Sequence, residues 1–148
     1  MNLTIHLQNA SNEKHIPKKT DFKFWLKNLF LNCKEPAAIS IRIVDSEEIQ
    51  ALNHYYRGKN KPTNILSFPF VTPKGVTSDL LGDLVICASI VNQEAKAEHK
   101  TFAEHWAHLT IHGALHLLGF THEANKDAKI MEALEIKYLE QLGFKNPY

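Results

Sequence analysis

The sequence has little cysteine, little arginine and no long apolar run. The two cysteines, Cys33 and Cys87, stand in no metal-ligand or redox spacing. That leaves out a thiolate zinc site and a dithiol redox motif. Both flank apolar segments and read as buried, reduced thiols of a cytosolic protein. No apolar run approaches membrane-spanning length, and MNLTIHLQNA lacks the basic start and apolar block of a signal peptide. Net charge is only +1, so no global basic field advertises nucleic acid, and such a partner would have to meet a local patch. Arginine is confined to Arg42 and Arg57 against a background of lysines. Repeats, low-complexity segments and interdomain linkers are missing too.

What is present suits one soluble domain. The 148 residues are 44% hydrophobic and 22% charged, enough to bury a core. Alternating apolar and polar residues predict strands at 3–8 and 38–44. A short strand is expected at 65–70, where Pro69 suggests an edge or a strand end. A buried-type strand is expected at 82–89. Helical spacing predicts helices at 21–33, capped by Asp21 or Thr20, and at 45–56, with Asp45 and Glu48 in a capping-box-like start. Further helices are expected at about 90–99, 102–118 and 126–142. The last would carry Ile130, Leu134, Tyr138 and Leu142 on one face and stop at Gly143. This order indicates an α+β domain over residues 1–148, with a small mixed sheet of about four strands packed with helices.

Histidine is abundant, with nine in the chain. His99, His105, His108, His112, His116 and His122 crowd into one quarter of it. His112 and His116, four residues apart on a helix, put two imidazoles on one face, about 6 Å apart along the axis. Gly119 can end that helix in a left-handed turn and return His122 to the same point. Three neutral imidazoles favour zinc and leave a position open, the catalytic rather than the closed structural arrangement. His105 lies about 16 Å along the axis from His116 and cannot share the metal. A core or surface place is expected for it. His108, one turn before His112, could line the cleft or orient a ligand.

HGALHLLGFTH is one letter from the zinc-protease pattern H-E-x-x-H-x-x-G-x-x-H. The protease's general base is replaced by Gly113, which argues against peptide hydrolysis by the usual route. Glycine inside a helix costs about 1 kcal/mol relative to alanine. Either close packing or room beside the metal should compensate. A phosphodiester is the more natural substrate, because zinc can polarise its oxygen and activate water. It also needs a cation for the charge that develops. Arg57, in YRGKNKP, suits that role through bidentate phosphate recognition. Lys59 and Lys61 on the same turn are candidate RNA contacts. A solvated basic turn is the alternative for all three.

The stretch HGALHLLGFTH resembles the H-G-x-L-H-L-x-G-Y-D-H signature of the YbeY family of bacterial endoribonucleases and rRNA maturation factors. YYRGKNKPTNILSFPF, LLGDLVIC and the closing MEALE…LGF…NPY resemble further blocks of that family, in the same order. The resemblance implies a small α/β sandwich with zinc on His112, His116 and His122, and Arg57 as the catalytic arginine. It implies single-strand-specific RNA cleavage, maturation of the 3′ end of small-subunit rRNA, and ribosome quality control. The implied partners are RNA, the small ribosomal subunit and the GTPase Era, in the cytoplasm and away from membranes. The family usually has Asp immediately before the third histidine, where this chain has Thr121. Glu123 could substitute for that carboxylate, and Asp83 lies in a matching block. A ribosome-assembly factor with a mainly structural metal, or another metal-dependent hydrolase, are the competing readings.

Overall fold

The computed structural model describes residues 2–148. Its elements are β1 (Leu3–Asn9), α1 (Lys19–Leu26), β2 (Ala37–Val44), α2 (Ser46–Arg57), β3 (Ile65–Pro69), β4 (Leu80–Cys87), α3 (Ala88–Ala97), α4 (Phe102–Leu117) and α5 (Asn125–Gln141). They form one α+β domain with a four-stranded mixed sheet in the order β1-β2-β4-β3. β1, β2 and β4 run parallel, while β3 pairs antiparallel with β4 at the sheet edge. The edge position fits Pro69, which has no N–H to give to a ladder.

Strand periodicity divides the core between the two sheet faces. Ile39, Ile41, Ile43, Leu84 and Ile86 face a layer built from α1, α4 and α5, with Phe22, Leu26 and Trp106 packed among them. Val44, Leu66, Val85 and Cys87 face the other way, against Ile49 and Leu52 of α2. α4 is the central helix. None of its residues is exposed, and its first turn is closed by a capping box in which Thr101 Oγ1 accepts from Glu104 N–H at 3.1 Å and Glu104 accepts from Thr101 N–H at 3.0 Å.

The sequence expectation needs correction in three helices. α1 stops at Leu26 rather than running to Cys33. The chain continues in tight turns, closed by Leu29 N–H to Leu26 O and Phe30 N–H to Lys27 O, which bury Phe30 just as a further helical turn would. Asp21 does not cap the helix from outside. It sits inside the first turn and accepts the Lys18 N–H at 2.8 Å. At α2, Asp45 is the N-cap by position, but its carboxylate accepts from Asn12 N–H and makes no cap bond. Glu48 is taken by Arg42 in a bidentate pair at 2.6 and 2.8 Å. α5 buries Met131, Glu135 and Leu139, while Ile130 is exposed. Of the expected stripe only Ile130 turns outward; Leu134, Tyr138 and Leu142 pack partly buried against the core. β4 and α3 each lie two residues earlier than expected, and the strand passes straight into the helix after Cys87.

Candidate metal site and cleft

α4 positions the first two histidines and the turn after it delivers the third. His112 and His116 project from the last two turns. Gly119, at φ +100°, reverses the chain in a conformation that side-chain-bearing residues rarely adopt. Phe120 N–H then bonds back to Leu115 O at 3.1 Å, and Gly119 N–H to His116 O at 3.0 Å. The turn brings His122 round, so that one nitrogen from each of His112, His116 and His122 lies within 4.8 Å of the others.

The hydrogen bonds around these rings settle their tautomers. His112 Nδ1 lies 3.0 Å from Glu135 Oε1, and His116 Nδ1 lies 3.0 Å from the carbonyl oxygen of Phe120. Both partners can only accept, so each Nδ1 carries the proton and donates. With the proton on Nδ1, the neutral form of such a ring has a bare lone pair on Nε2. Those two Nε2 atoms face one another at 3.2 Å, and neither can donate to the other. A cation between them resolves the conflict. Two nitrogens bound at about 2.0–2.1 Å to a tetrahedral zinc sit about 3.3 Å apart, which this spacing matches. Burial, followed by the neighbouring His112 and His122, pushes His116 down to about 4. It therefore stays neutral, as a metal ligand must.

Glu135 was not singled out from the sequence, and it holds the site together. It comes from α5 and its side chain is 1% exposed. One oxygen accepts from His112 Nδ1 and from His108 Nε2, both at 3.0 Å. The other accepts from the hydroxyl of Tyr148, the last residue, at 3.0 Å. Burial alone would raise this carboxyl, but the hydrogen bonds from His108 and His112 override it and hold it down at about 2. Tyr148 is pushed up by burial and by the Glu135 charge, so its hydroxyl stays a donor. A buried carboxylate on the far nitrogen of a metal-binding histidine fixes its orientation and raises its basicity.

The histidines form one wall of a cleft of about 420 Å³, whose lining includes Arg57, Ser67, Pro69, Thr121 and Glu123. Arg57 is the last residue of α2. Gly58, at φ +71°, turns the chain away immediately after it. Among the described residues Arg57 has no ion-pair partner, in contrast to Arg42. Lys59 and Lys61 are exposed on the turn beyond and do not line the cleft. That turn is pinned from inside, where the buried Asn53 donates its side-chain amide to Lys61 O at 2.9 Å. Ser67, also not anticipated, donates to Gly113 O at 3.4 Å.

The remaining expectations sort cleanly. His105 is buried and bonded to Glu94 at 2.9 Å, a core position. His108 reaches the site through Glu135. Glu123 and Thr121 line the cleft. Asp83 does not join them. It is exposed on the α2 side of the sheet, the face shared with Val85 and Cys87. Gly113 faces the sheet. A Cβ there would lie 2.8 Å from both Ile65 Cδ1 and Leu84 Cδ2 and 3.2 Å from Ser67 Oγ. Close packing, rather than room for substrate, explains the glycine.

A family model described as Endoribonuclease YbeY matches residues 6–143. Among solved structures, the solution structure of TM1509 from Thermotoga maritima matches with a TM-score of 0.63. The two sequences are 28% identical, and the match covers 94% of this chain and 87% of that one. Among the described residues no helix is long and apolar enough to cross a membrane.

Proposed function

The chain belongs to the YbeY endoribonuclease family, and from that premise we propose that it is a zinc-dependent, single-strand-specific endoribonuclease. Its work is rRNA processing, with maturation of the 3′ end of small-subunit rRNA and ribosome quality control. One observation carries the chemistry: converging bare imidazole nitrogens share a cleft with an arginine that has no internal partner.

His112, His116 and His122 are the residues that hold the zinc. When bound, zinc supplies a Lewis acid for phosphodiester cleavage. Arg57 grips the phosphate oxygens in a bidentate fork and stabilises the negative charge that grows on them. Glu135 keeps the His112 proton on Nδ1 and so keeps Nε2 free. Lys59 and Lys61 draw the RNA backbone toward the cleft from outside it. Gly113 has neither the side chain nor the space to act as base. Of the cleft-lining residues Glu123 alone carries a carboxylate, so protein-borne proton transfer falls to Glu123. The RNA 2′-hydroxyl is the competing participant. A 2′,3′-cyclic phosphate end identifies internal attack, while 5′-phosphate and 3′-hydroxyl ends identify water.

The small ribosomal subunit, the GTPase Era and a cytoplasmic location belong to the same proposal and rest on the family resemblance. The test is His116→Ala in the full chain. It should fold as the wild type does, by circular dichroism, and lose RNA cleavage. Unfolding of the variant would favour a structural metal in an assembly factor. Wild-type protein that never cuts RNA would end the enzyme reading.

A further inference from the structure

Immediately before Arg57, α2 ends in two adjacent tyrosines that point into solvent. Tyr55 is 82% exposed and Tyr56 61%. They are not random outliers, because the rings meet edge to face in a step. Tyr55 meets Tyr56 edge-on at 4.7 Å between centroids, and Tyr56 meets Phe68 at 5.1 Å. Phe68 lies on the edge strand β3, whose neighbouring residues Ser67 and Pro69 line the metal-side cleft on the opposite face. The aromatic step therefore wraps the outer side of the same strand that walls the cleft. Phe70 and Val71, both exposed, follow directly.

Charge is segregated along the chain around this step, although the exposed Asp83 lies across the β3–β4 ladder from Phe68. From Ile49 to Ser78 the chain contains no Asp or Glu, yet it carries Arg57, Lys59, Lys61 and Lys74. All sixteen acidic residues lie elsewhere, against the other thirteen Lys and Arg. The near-neutral whole thus hides a basic segment, and that segment holds the exposed aromatics. Exposed rings beside unpaired cations are the composition by which proteins bind unpaired nucleotides: cations track the phosphates and rings stack the bases.

We propose that Tyr55, Tyr56 and Phe68 form a stacking platform for an unpaired RNA base flanking the nucleotide whose phosphate Arg57 holds. The proposal rests on the endoribonuclease reading and adds the physical basis of single-strand selectivity. A base in a duplex is already stacked on both faces and cannot reach the ring without being flipped out. A base in a single strand can.

The test is fluorescence anisotropy with the full-length protein and labelled 12-nucleotide single-stranded RNAs. One RNA is intact, and the others carry a single abasic nucleotide moved along the strand. Tyr56→Ala and Tyr55→Ala should each weaken binding of intact RNA, by roughly 5- to 100-fold for a lost stacked base. Tyr56→Phe and Tyr56→Trp should retain it, because the ring face survives. One abasic position should weaken wild-type binding by the same factor and cause no further loss in Tyr56→Ala. Tyr55, being more exposed, covers the case in which Tyr56→Ala disturbs folding against Phe68. Unchanged binding by both alanine variants would overturn the proposal and leave the patch as a protein-docking face. So would additive losses at every abasic position. Cleavage of the same RNAs separates the two readings. Wild-type protein that shows the abasic pattern but never cuts retires the nuclease and keeps the platform. Normal cutting and binding by the alanine variants retires the platform alone.

Discussion

Glu135 offers the sharpest lever on the metal site because it never touches the metal position. Replacing it with glutamine keeps the shape and one carbonyl oxygen to accept from His112, but removes the charge. Alanine removes the acceptor as well, leaving His112, His108 and Tyr148 without the partner they meet at 3.0 Å. Loss of such an outer partner lowers metal affinity by about 10- to 100-fold, or about 1.4–2.7 kcal/mol. We expect Glu135→Gln near the lower end and Glu135→Ala near the upper. Tyr148→Phe removes one donor to the other carboxylate oxygen and should cost only a few-fold. Each buried donor left unpaired in the alanine variant also costs about 1–3 kcal/mol of stability, so its Tm should fall by several degrees. Competition against a chromophoric zinc chelator at neutral pH measures the affinities, and thermal unfolding of metal-free protein measures the stability. If Glu135→Ala binds zinc as tightly as wild type, the argument that Glu135 orients His112 is wrong.

Three further outcomes follow from the same geometry. Gly113→Glu should not create a protease. It should destabilise the fold by more than about 3 kcal/mol in urea denaturation, since even its Cβ collides with Ile65 and Leu84; a well-folded, casein-cleaving variant would contradict this. Arg57→Lys should keep the fold and reduce kcat by about 10²–10³-fold, because a point charge replaces a planar fork; near-normal turnover would remove Arg57 from the chemistry. Metal-free protein should lose stability on acidification in two stages. His116, lowered from 6.5 to about 4, makes the unfolded state the better proton acceptor as pH falls between those values. Glu135, lowered from 4.5 to about 2, contributes stability above 4.5 that is lost as pH falls toward 2. Denaturation midpoints that stay flat from pH 7 to pH 4 would exclude the first effect, and midpoints flat from pH 4.5 to pH 2 would exclude the second.

The convergence of the three histidines was legible in the sequence because it is local. Helical pitch aligns His112 with His116, and one glycine turn returns His122, so eleven consecutive residues define it. The strands were legible for the same reason, since the alternation of Ile39, Ile41 and Ile43 lies within one segment. Glu135 was hidden because its partners come from another helix. A glutamate in a helix normally marks the solvent side, and only the stripe Met131, Glu135, Leu139 hinted otherwise. Tyr148 was hidden by its terminal position. The over-long α1 shows a limit of periodicity: Leu26, Leu29 and Phe30 satisfy a helix and a run of tight turns equally well. Gly113 could be read as needing space, but the neighbours that take that space come from β3 and β4.

The most direct test of the account joins metal to cleavage. Zinc should be present at about one ion per purified chain, RNA cleavage should disappear when a chelator strips it, and both should return together on adding zinc back. Cleavage that persists at full rate in metal-free protein, or zinc-replete protein that leaves single-stranded RNA intact, would contradict the account.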